Sequence, residues 1–229
     1  MEIIDNNIAI IQRDTHISKW VKENNRLDFD QNVLPVLLPF IKEGDVVIDV
    51  GANIGAYTKA FIEKAGDSGF IYCFEPNKEA FECLQYNIRN ENSHLFNVAL
   101  GSTGGKVRVL SDSEHPNNIG MNFCDAVNSG DINLMTLDKF ELEKCDFIKI
   151  DVEGWELEVL IGANNTIDKY KPNLYIEINE RALRRNHLIP LDIFSWLTKK
   201  GYSFRNIYKE QQMRGEQYDI ICTHNEKEN

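Results

Sequence analysis

The stretch from Val46 to Glu75 constrains this chain more than any other. Val46–Val50 is a short, nearly continuous apolar run, the mark of a strand buried on both faces. It leads directly into Asp49-Val50-Gly51-Ala52-Asn53-Ile54-Gly55, where glycines let the backbone turn tightly and approach a ligand with no Cβ in the way. A helical segment is predicted over 56–64, then a second strand, Phe70–Phe74, closed by Glu75. Strand, glycine turn, helix, strand and terminal acid make one βαβ unit, whose right-handed crossover puts both strand C-termini on one edge. Ligands of open α/β sheets bind along that edge. An acid there, about 25 residues after the glycine turn, can accept hydrogen bonds from both hydroxyls of a ribose. A dinucleotide loop asks for G-x-G-x-x-G, and this chain offers Gly51, Asn53 and Ala56 at those positions. A pyrophosphate would find a poorer cradle than an uncharged adenosine joined to an amino acid. Asp49, beside the turn, can order the loop and attract the positively charged end of such a ligand.

The alternation continues. A helix is expected over 78–90, with Phe81, Leu84 and Ile88 on one face, and a third strand over 94–99. Further strands are read at 147–150, 174–178, 203–207 and 218–222, and helices at 156–161 and 191–200. This is the pattern of an α/β fold, a mainly parallel sheet with helices on both faces. The chain has 229 residues, 42% of them hydrophobic, which suits a single domain over 1–229. Within it we distinguish a preamble or lid over 1–44, a cofactor-binding half over 45–100, an insertion over 101–140 and an acceptor-side half over 141–229. The preamble has helical apolar spacing over 32–41, which Pro35 and Pro39 must bend or interrupt. The insertion mixes short strand-like pieces with Gly, Asn and Ser, and a long irregular segment in a compact domain is more often functional than idle.

Composition removes several classes. Five scattered cysteines form no Cys-x-x-Cys pair, so neither a zinc clip nor a disulfide framework is suggested. The N-terminus has no basic start and no apolar core of a secretory signal, and no run approaches the roughly 20 apolar residues that span a bilayer. A cytoplasmic protein with no membrane span is expected. The formal net charge of −11 lacks the basic stripe of a nucleic-acid binder, so no nucleic-acid partner is expected. The one dense basic cluster, Arg181, Arg184 and Arg185, reads as a solvated helix face.

Five segments in order, VVIDVGANIGAYT, FEPNKEAFECLQYNI, NVALGS, TLDKF and IKIDVEGWELEVLIGA, resemble the FkbM family of methyltransferases from about Gly44 to Ile178. The preamble segment DTHISKWV is also similar to one seen in some members. The resemblance implies a class I Rossmann-like methyltransferase with seven strands in the order 3-2-1-4-5-7-6. It implies S-adenosyl-L-methionine as cofactor and methyl transfer to a hydroxyl, commonly on a sugar, a glycan or a glycosylated small molecule. It further implies that Asp49, Gly51, Asn53 and Gly55 form the cofactor loop, that Glu75 takes the ribose, and that Ala99 and Leu100 sit against adenine.

Methyl transfer from a sulfonium is an in-line displacement, so nucleophile, methyl and sulfur must be aligned and a hydroxyl acceptor must lose a proton. Candidates lie at the ends of the fourth and fifth strands. The fourth ends Asp151-Val152-Glu153-Gly154-Trp155, unlike the Asn/Asp-Pro-Pro-aromatic turn of nucleobase amine methylases. Asp151 and Glu153, one residue apart, point the same way from an extended strand. As a pair they can raise one pKa toward neutrality and supply a base. With Glu177 and Asn179 of the next strand they can also form an oxygen-rich magnesium site. Glu153 can equally cap the helix that follows. Trp155 can line an acceptor pocket or belong to the core. His16, in a preamble able to fold over the cofactor, is a third candidate base. Lys149, inside an apolar strand, is expected to pair with one of the acids.

Two other classes stay open. An NAD-dependent oxidoreductase shares the sheet and the ribose acid, but the glycine pattern differs and Tyr170 is adjacent to Lys171, not in a Tyr-x-x-x-Lys pair. A non-catalytic partner protein could keep the fold. The protein is expected to bind S-adenosyl-L-methionine and its demethylated product, and nicotinamide cofactors negligibly. A fluorescence titration showing tight NADH binding would overturn this reading.

Overall fold

A computed structural model describes residues 1–126, 130–207 and 216–227. Residues 127–129 of the insertion, and 208–215 and 228–229 of the acceptor-side half, lie outside the described residues. The preamble opens as a hairpin of β1 (Glu2–Ile4) and β2 (Ile8–Ile10), followed by helix α1 (Ile17–Asn24). The bend expected between Pro35 and Pro39 takes the form of a four-residue helix, α2 (Leu34–Leu37), running into a 3-10 turn at Leu38–Phe40. Each proline sits in the first turn of its piece, where a missing N–H costs nothing.

From there the chain alternates as β3 (Val46–Val50), α3 (Ala56–Ala65), β4 (Phe70–Phe74), α4 (Lys78–Asn87) and β5 (Ser93–Phe96). β6 (Val98–Leu100) follows at once, and the insertion supplies β7 (Gly105–Leu110), β8 (Phe123–Ala126) and β9 (Ile132–Met135). The remainder gives β10 (Phe147–Ile150), α5 (Glu156–Gly162), α6 (Asn164–Tyr170), β11 (Asn173–Asn179), α7 (Glu180–Arg185), α8 (Pro190–Lys199), β12 (Tyr202–Asn206) and β13 (Gln217–His224).

The main sheet runs β12-β13-β11-β10-β3-β4-β5. It is mixed: β11, β10, β3, β4 and β5 pair in parallel, while β13 runs antiparallel to both β11 and β12. The central strands are buried on both faces, and their alternation sorts side chains between two cores. Val47 joins Phe61 of α3 and Leu84 of α4 on one side. Val46, Ile48 and Val50 join Leu160 of α5 and Leu197 of α8 on the other. The preamble packs on the first core through Ile10, Val21 and Leu37. Asn87 fastens it there: its Nδ2 donates to the carbonyls of Ala9 (2.9 Å) and Ile54 (2.8 Å), and its Oδ1 accepts from the Ala9 N–H (2.7 Å). No described helix is long and apolar enough to cross a membrane.

The third strand expected over 94–99 is two strands. The main sheet keeps Ser93–Phe96, and Asn97 breaks the run by donating its side-chain amide to the carbonyls of Glu75 and Pro76 (2.8 and 3.1 Å). Val98–Leu100 then enters a separate four-stranded sheet ordered β6-β9-β7-β8. This second sheet is held against α5 by a close backbone approach. A Cβ on Gly162 would lie 1.9 Å from the carbonyl oxygen of Gly101. Gly162→Ala is therefore expected to destabilise the fold by about 1–3 kcal/mol. At about 2–4 °C per kcal/mol for a chain of this size, calorimetry should record a lower Tm, and an unchanged Tm would show that the two backbones separate freely.

Candidate functional site

The turn after β3 is built by its neighbours. The N–H groups of Gly51 and Ala52 donate to the Phe74 carbonyl at the end of β4 (2.9 and 3.1 Å). Gly51 has φ +79°, and a Cβ there would lie 1.9 Å from the Asp151 carbonyl oxygen, so only glycine lets this turn pass the end of β10. Glu75, 7% exposed, folds the loop from the other side. One carboxylate oxygen accepts from the Asn53 N–H (2.8 Å), the other from the Asn77 N–H (2.7 Å). Burial nevertheless pushes its carboxyl up to about 7. Each oxygen can accept a further bond toward the cavity that Glu75 lines together with Gly51, Ala52 and Asn53. Gly55 lines neither cavity described here. It begins α3 at φ +94°, where a Cβ would press on Ile88 at 2.9 Å.

The opposite wall of this cavity comes from Ala99 and Leu100 of β6, from Trp155, and from Val109, Ile119 and Phe123 of the insertion. The Trp155 Nε1 is buried without a hydrogen-bond partner among the described residues. The insertion residues escape residue-level reasoning, although the irregularity of 101–140 marks the segment as a candidate. Two buried carboxylates hold it in place. Asp14, 4% exposed, accepts from the N–H groups of His16, Ser18 and Ile119 and so ties the preamble to the insertion. Asp112, 2% exposed, accepts from Arg181 (2.9 Å) and Arg185 (2.9 Å) of α7. Arg185 also lies 4.1 Å above the Phe123 ring and donates to the Glu153 carbonyl (3.3 Å). Arg181 and Arg185 are therefore not a solvated face. Of that cluster Arg184 alone is largely exposed, paired with Glu180 one turn earlier.

Beneath the junction of loop and strand ends lies Lys149, 1% exposed. Its Nζ stands 3.3 Å from both Asp49 and Asp151 and donates to the Gly51 carbonyl (3.0 Å). Burial alone would lower its pKa, but the two carboxylates outweigh it and keep the ammonium above its usual range. Asp49 also accepts from the Thr58 hydroxyl (2.6 Å) and is fully buried. It orders the loop from behind and lines neither cavity.

Asp151 and Glu153 line the first cavity and also a second, open cleft of about 860 Å³. Glu153 has φ +54° and is 6% exposed. Asn179 donates its side-chain amide to one Glu153 oxygen (2.9 Å) while capping α7 by accepting from the Ala182 N–H (3.1 Å). Asn179 itself lines neither cavity. Burial, then Asp151 and Glu156, push the Glu153 carboxyl up to about 8. Glu153 does not cap α5, whose first turn begins at Trp155; it is Glu156 that accepts from the Gly154 N–H (2.8 Å). Glu177 and His16 line the cleft, His16 with its ring edge-on to Phe29 at 5.2 Å, and Trp155 lines only the first cavity. Among the described residues no group of three or more His, Cys, Asp or Glu is placed to hold a metal ion. The acids at the strand ends thus supply no magnesium ligand set there. Residues first seen in the structure are Tyr57, Tyr175, Asp30 and Asp219, all in the cleft.

The glycine turn after β3 and the acid after β4 border one cavity, and Asp151 and Glu153 join its lining to that of the open cleft. The family is shown by comparison: the model described as the methyltransferase FkbM domain matches residues 49–204, and the chain belongs to that family. It is 31% identical over 145 residues to the hexuronic acid methyltransferase AglP of Haloferax volcanii, covering 60% of this chain and 58% of that protein. It is 27% identical over 127 residues to the ribosomal RNA large subunit methyltransferase E of Methanobrevibacter smithii, covering 53% and 60%. It is 26% identical over 168 residues to the 2-O-methyltransferase NoeI of Sinorhizobium fredii, covering 64% and 68%. The chain thus spans about three fifths of the length of the first two relatives.

The raised Glu153 carboxyl has a measurable consequence. Between its ordinary value of 4.5 and about 8, the unfolded chain carries the charge while the folded chain keeps the proton. Stability from this group is complete below 4.5 and is lost as pH rises toward 8, at up to about 1.4 kcal/mol per pH unit. Denaturant titrations of the ligand-free protein at pH 5 and pH 8 should show Glu153→Gln gaining stability over wild type only at the higher pH. An equal effect at both would place the Glu153 carboxyl in its ordinary range.

Proposed function

We propose that the chain is an S-adenosyl-L-methionine-dependent O-methyltransferase whose acceptor is a hydroxyl of a sugar, a glycan or a glycosylated small molecule. One observation carries this: Asp151 and Glu153 line both the cavity bordered by Glu75 and the open cleft, so a carboxylate pair stands where two ligands would meet. The residues of the first cavity fit the cofactor. Glu75 offers two carboxylate oxygens to ribose hydroxyls, and Gly51, Asn53, Ala99, Leu100 and the unpartnered Trp155 indole N–H complete the walls. When bound, that cofactor supplies an electrophilic methyl group.

The chain's own residues do the rest. Asp151, about a third exposed at its side chain and anchored by Lys149, takes the acceptor hydroxyl proton. Lys149 holds that carboxylate in one place and offsets its charge. Glu153, largely protonated near neutrality, orients the acceptor by donating a hydrogen bond. Ile119 and Gly120 of the insertion and Ile17 of α1 add an apolar wall to the first cavity. The aromatic walls of the cleft suit the C–H face of a sugar ring, and the relative AglP is by its name a hexuronic acid methyltransferase. The ribosomal RNA methyltransferase relative favours a second reading, a nucleic-acid acceptor. Against it stand the carboxylates of the cleft and the net charge of −11, which repel phosphates.

Asp151→Asn is expected to cut turnover about 10²–10⁴-fold, as loss of a general base does, with S-adenosylhomocysteine affinity within about twofold of wild type. The assay is transfer of a labelled methyl group to a panel of glycans and to ribosomal RNA. Wild-type turnover by the variant would remove Asp151 from the chemistry, and label on RNA alone would replace the sugar acceptor.

A further inference from the structure

The open cleft carries more charge than proton transfer needs. Its floor is laid by strand register. Glu177 of β11 and Asp219 of β13 are direct cross-strand partners, so two carboxyl groups face each other on one side of the sheet. Ionised together they would be destabilising, and burial raises both above their ordinary range. Asp151 and Glu153 stand beside them at the end of β10, and Asp30 faces them from the preamble, bonded to the Tyr57 hydroxyl (3.0 Å). No lysine or arginine is among the described residues lining the cleft. Lys149 touches Asp151 from beneath, where it is shared with Asp49, and Arg185 stands behind the wall, bound to Asp112 and to the Glu153 backbone carbonyl. Gln217 and Tyr175 offer neutral hydrogen bonds to Glu177 and Asp219. Glu153 is 94% buried by its 6% exposure, and its second carboxylate oxygen has no partner among the described residues.

Aromatic faces accompany the acids. Tyr57 stacks on Tyr175 at 6.4 Å, and Trp20 meets Phe29 edge-on at 5.5 Å. Carboxylates for charge and ring faces for a cation's less hydrated side are what an ammonium group selects. A neutral sugar would satisfy hydrogen bonds but leave the opposed charges uncompensated. A uronate or phosphorylated acceptor would add to them. Burial, joined by Asp151 and Asp30, drives Asp219 up to about 7 against the Tyr175 hydrogen bond and the charge of Lys149.

We infer that the acceptor of this cleft is an amino sugar bearing a free, protonated amine, held by Glu177 and Asp219 with its hydroxyl toward Asp151. This rests on reading the cleft as the acceptor site, and it departs from the uronate named for AglP.

The full chain saturated with S-adenosylhomocysteine is titrated in a calorimeter with D-glucosamine, N-acetyl-D-glucosamine and D-glucuronate at neutral pH and low salt. Glucosamine should bind about tenfold or more tightly than its N-acetyl form, a ratio worth about 1.4 kcal/mol, and glucuronate weakest. Glu177→Gln and Asp219→Asn should each shrink the preference several-fold while leaving S-adenosylhomocysteine affinity unchanged. Equal affinities, no binding by the amine, or a preference untouched by both variants overturns the inference. Labelled methyl transfer to neutral glycans with no amine preference would overturn it while leaving the sugar O-methyltransferase standing. Selective amine binding without any methyl transfer would leave an amine site in the cleft but overturn the amino sugar as methyl acceptor.

Discussion

The ammonium of Lys149 is the point on which the rest of the site depends. A charge 99% withdrawn from water is tolerable only among fixed partners. Its partners are Asp49 on β3, Asp151 after β10 and the Gly51 carbonyl in the turn between β3 and α3. One buried cation therefore sets the distance between the cofactor turn and the acceptor-side strand end. The register agrees, since Lys149 is the cross-strand partner of Asp49 on one side and of Tyr175 on the other. From Tyr175 the same face runs on to Glu177, the floor of the cleft.

Around this centre the two segments without a regular pattern become walls. The preamble is pinned to the main core by Asn87 and to the insertion by Asp14. The insertion is pinned to α7 by Asp112 through Arg181 and Arg185. All three anchors are polar groups drawn into the protein, where a hydrogen bond left unmade is expensive. That expense, added to the apolar contacts of the preamble with the first core, gives both segments a defined position.

Much of this was legible in the sequence, and the reason is local. The β3 turn, Glu75 and the strand–helix alternation are written within windows of about 30 residues, where periodicity and glycine placement act directly. The pairing of Lys149 with an acid was legible too, because a lysine in an apolar strand has few alternatives. What was not legible depended on distant partners. β6 pairs with β9 across more than 30 intervening residues, and no local pattern marks Asn97 as the point where the chain changes sheets. Arg181 and Arg185 look solvated until Asp112 is brought to them from the insertion. Asn179 reads as a site residue by position but is spent on a helix cap and on Glu153. Asp30 and Asp219 lie nearly 190 residues apart in the chain and share a cleft only because β13 lies beside β11.

The reversed direction of β13 has a consequence of its own. In a wholly parallel sheet each strand would deliver its last residues to the ligand edge. Here β13 delivers its first, so Gln217, Tyr218 and Asp219 border the cleft while the far end of the strand is locked to β11 and β12 in the core. The chain lines the cleft on its way into the sheet. Cleft lining and sheet pairing fall to different ends of this strand, whereas at the Gly51 turn cavity wall and backbone packing coincide.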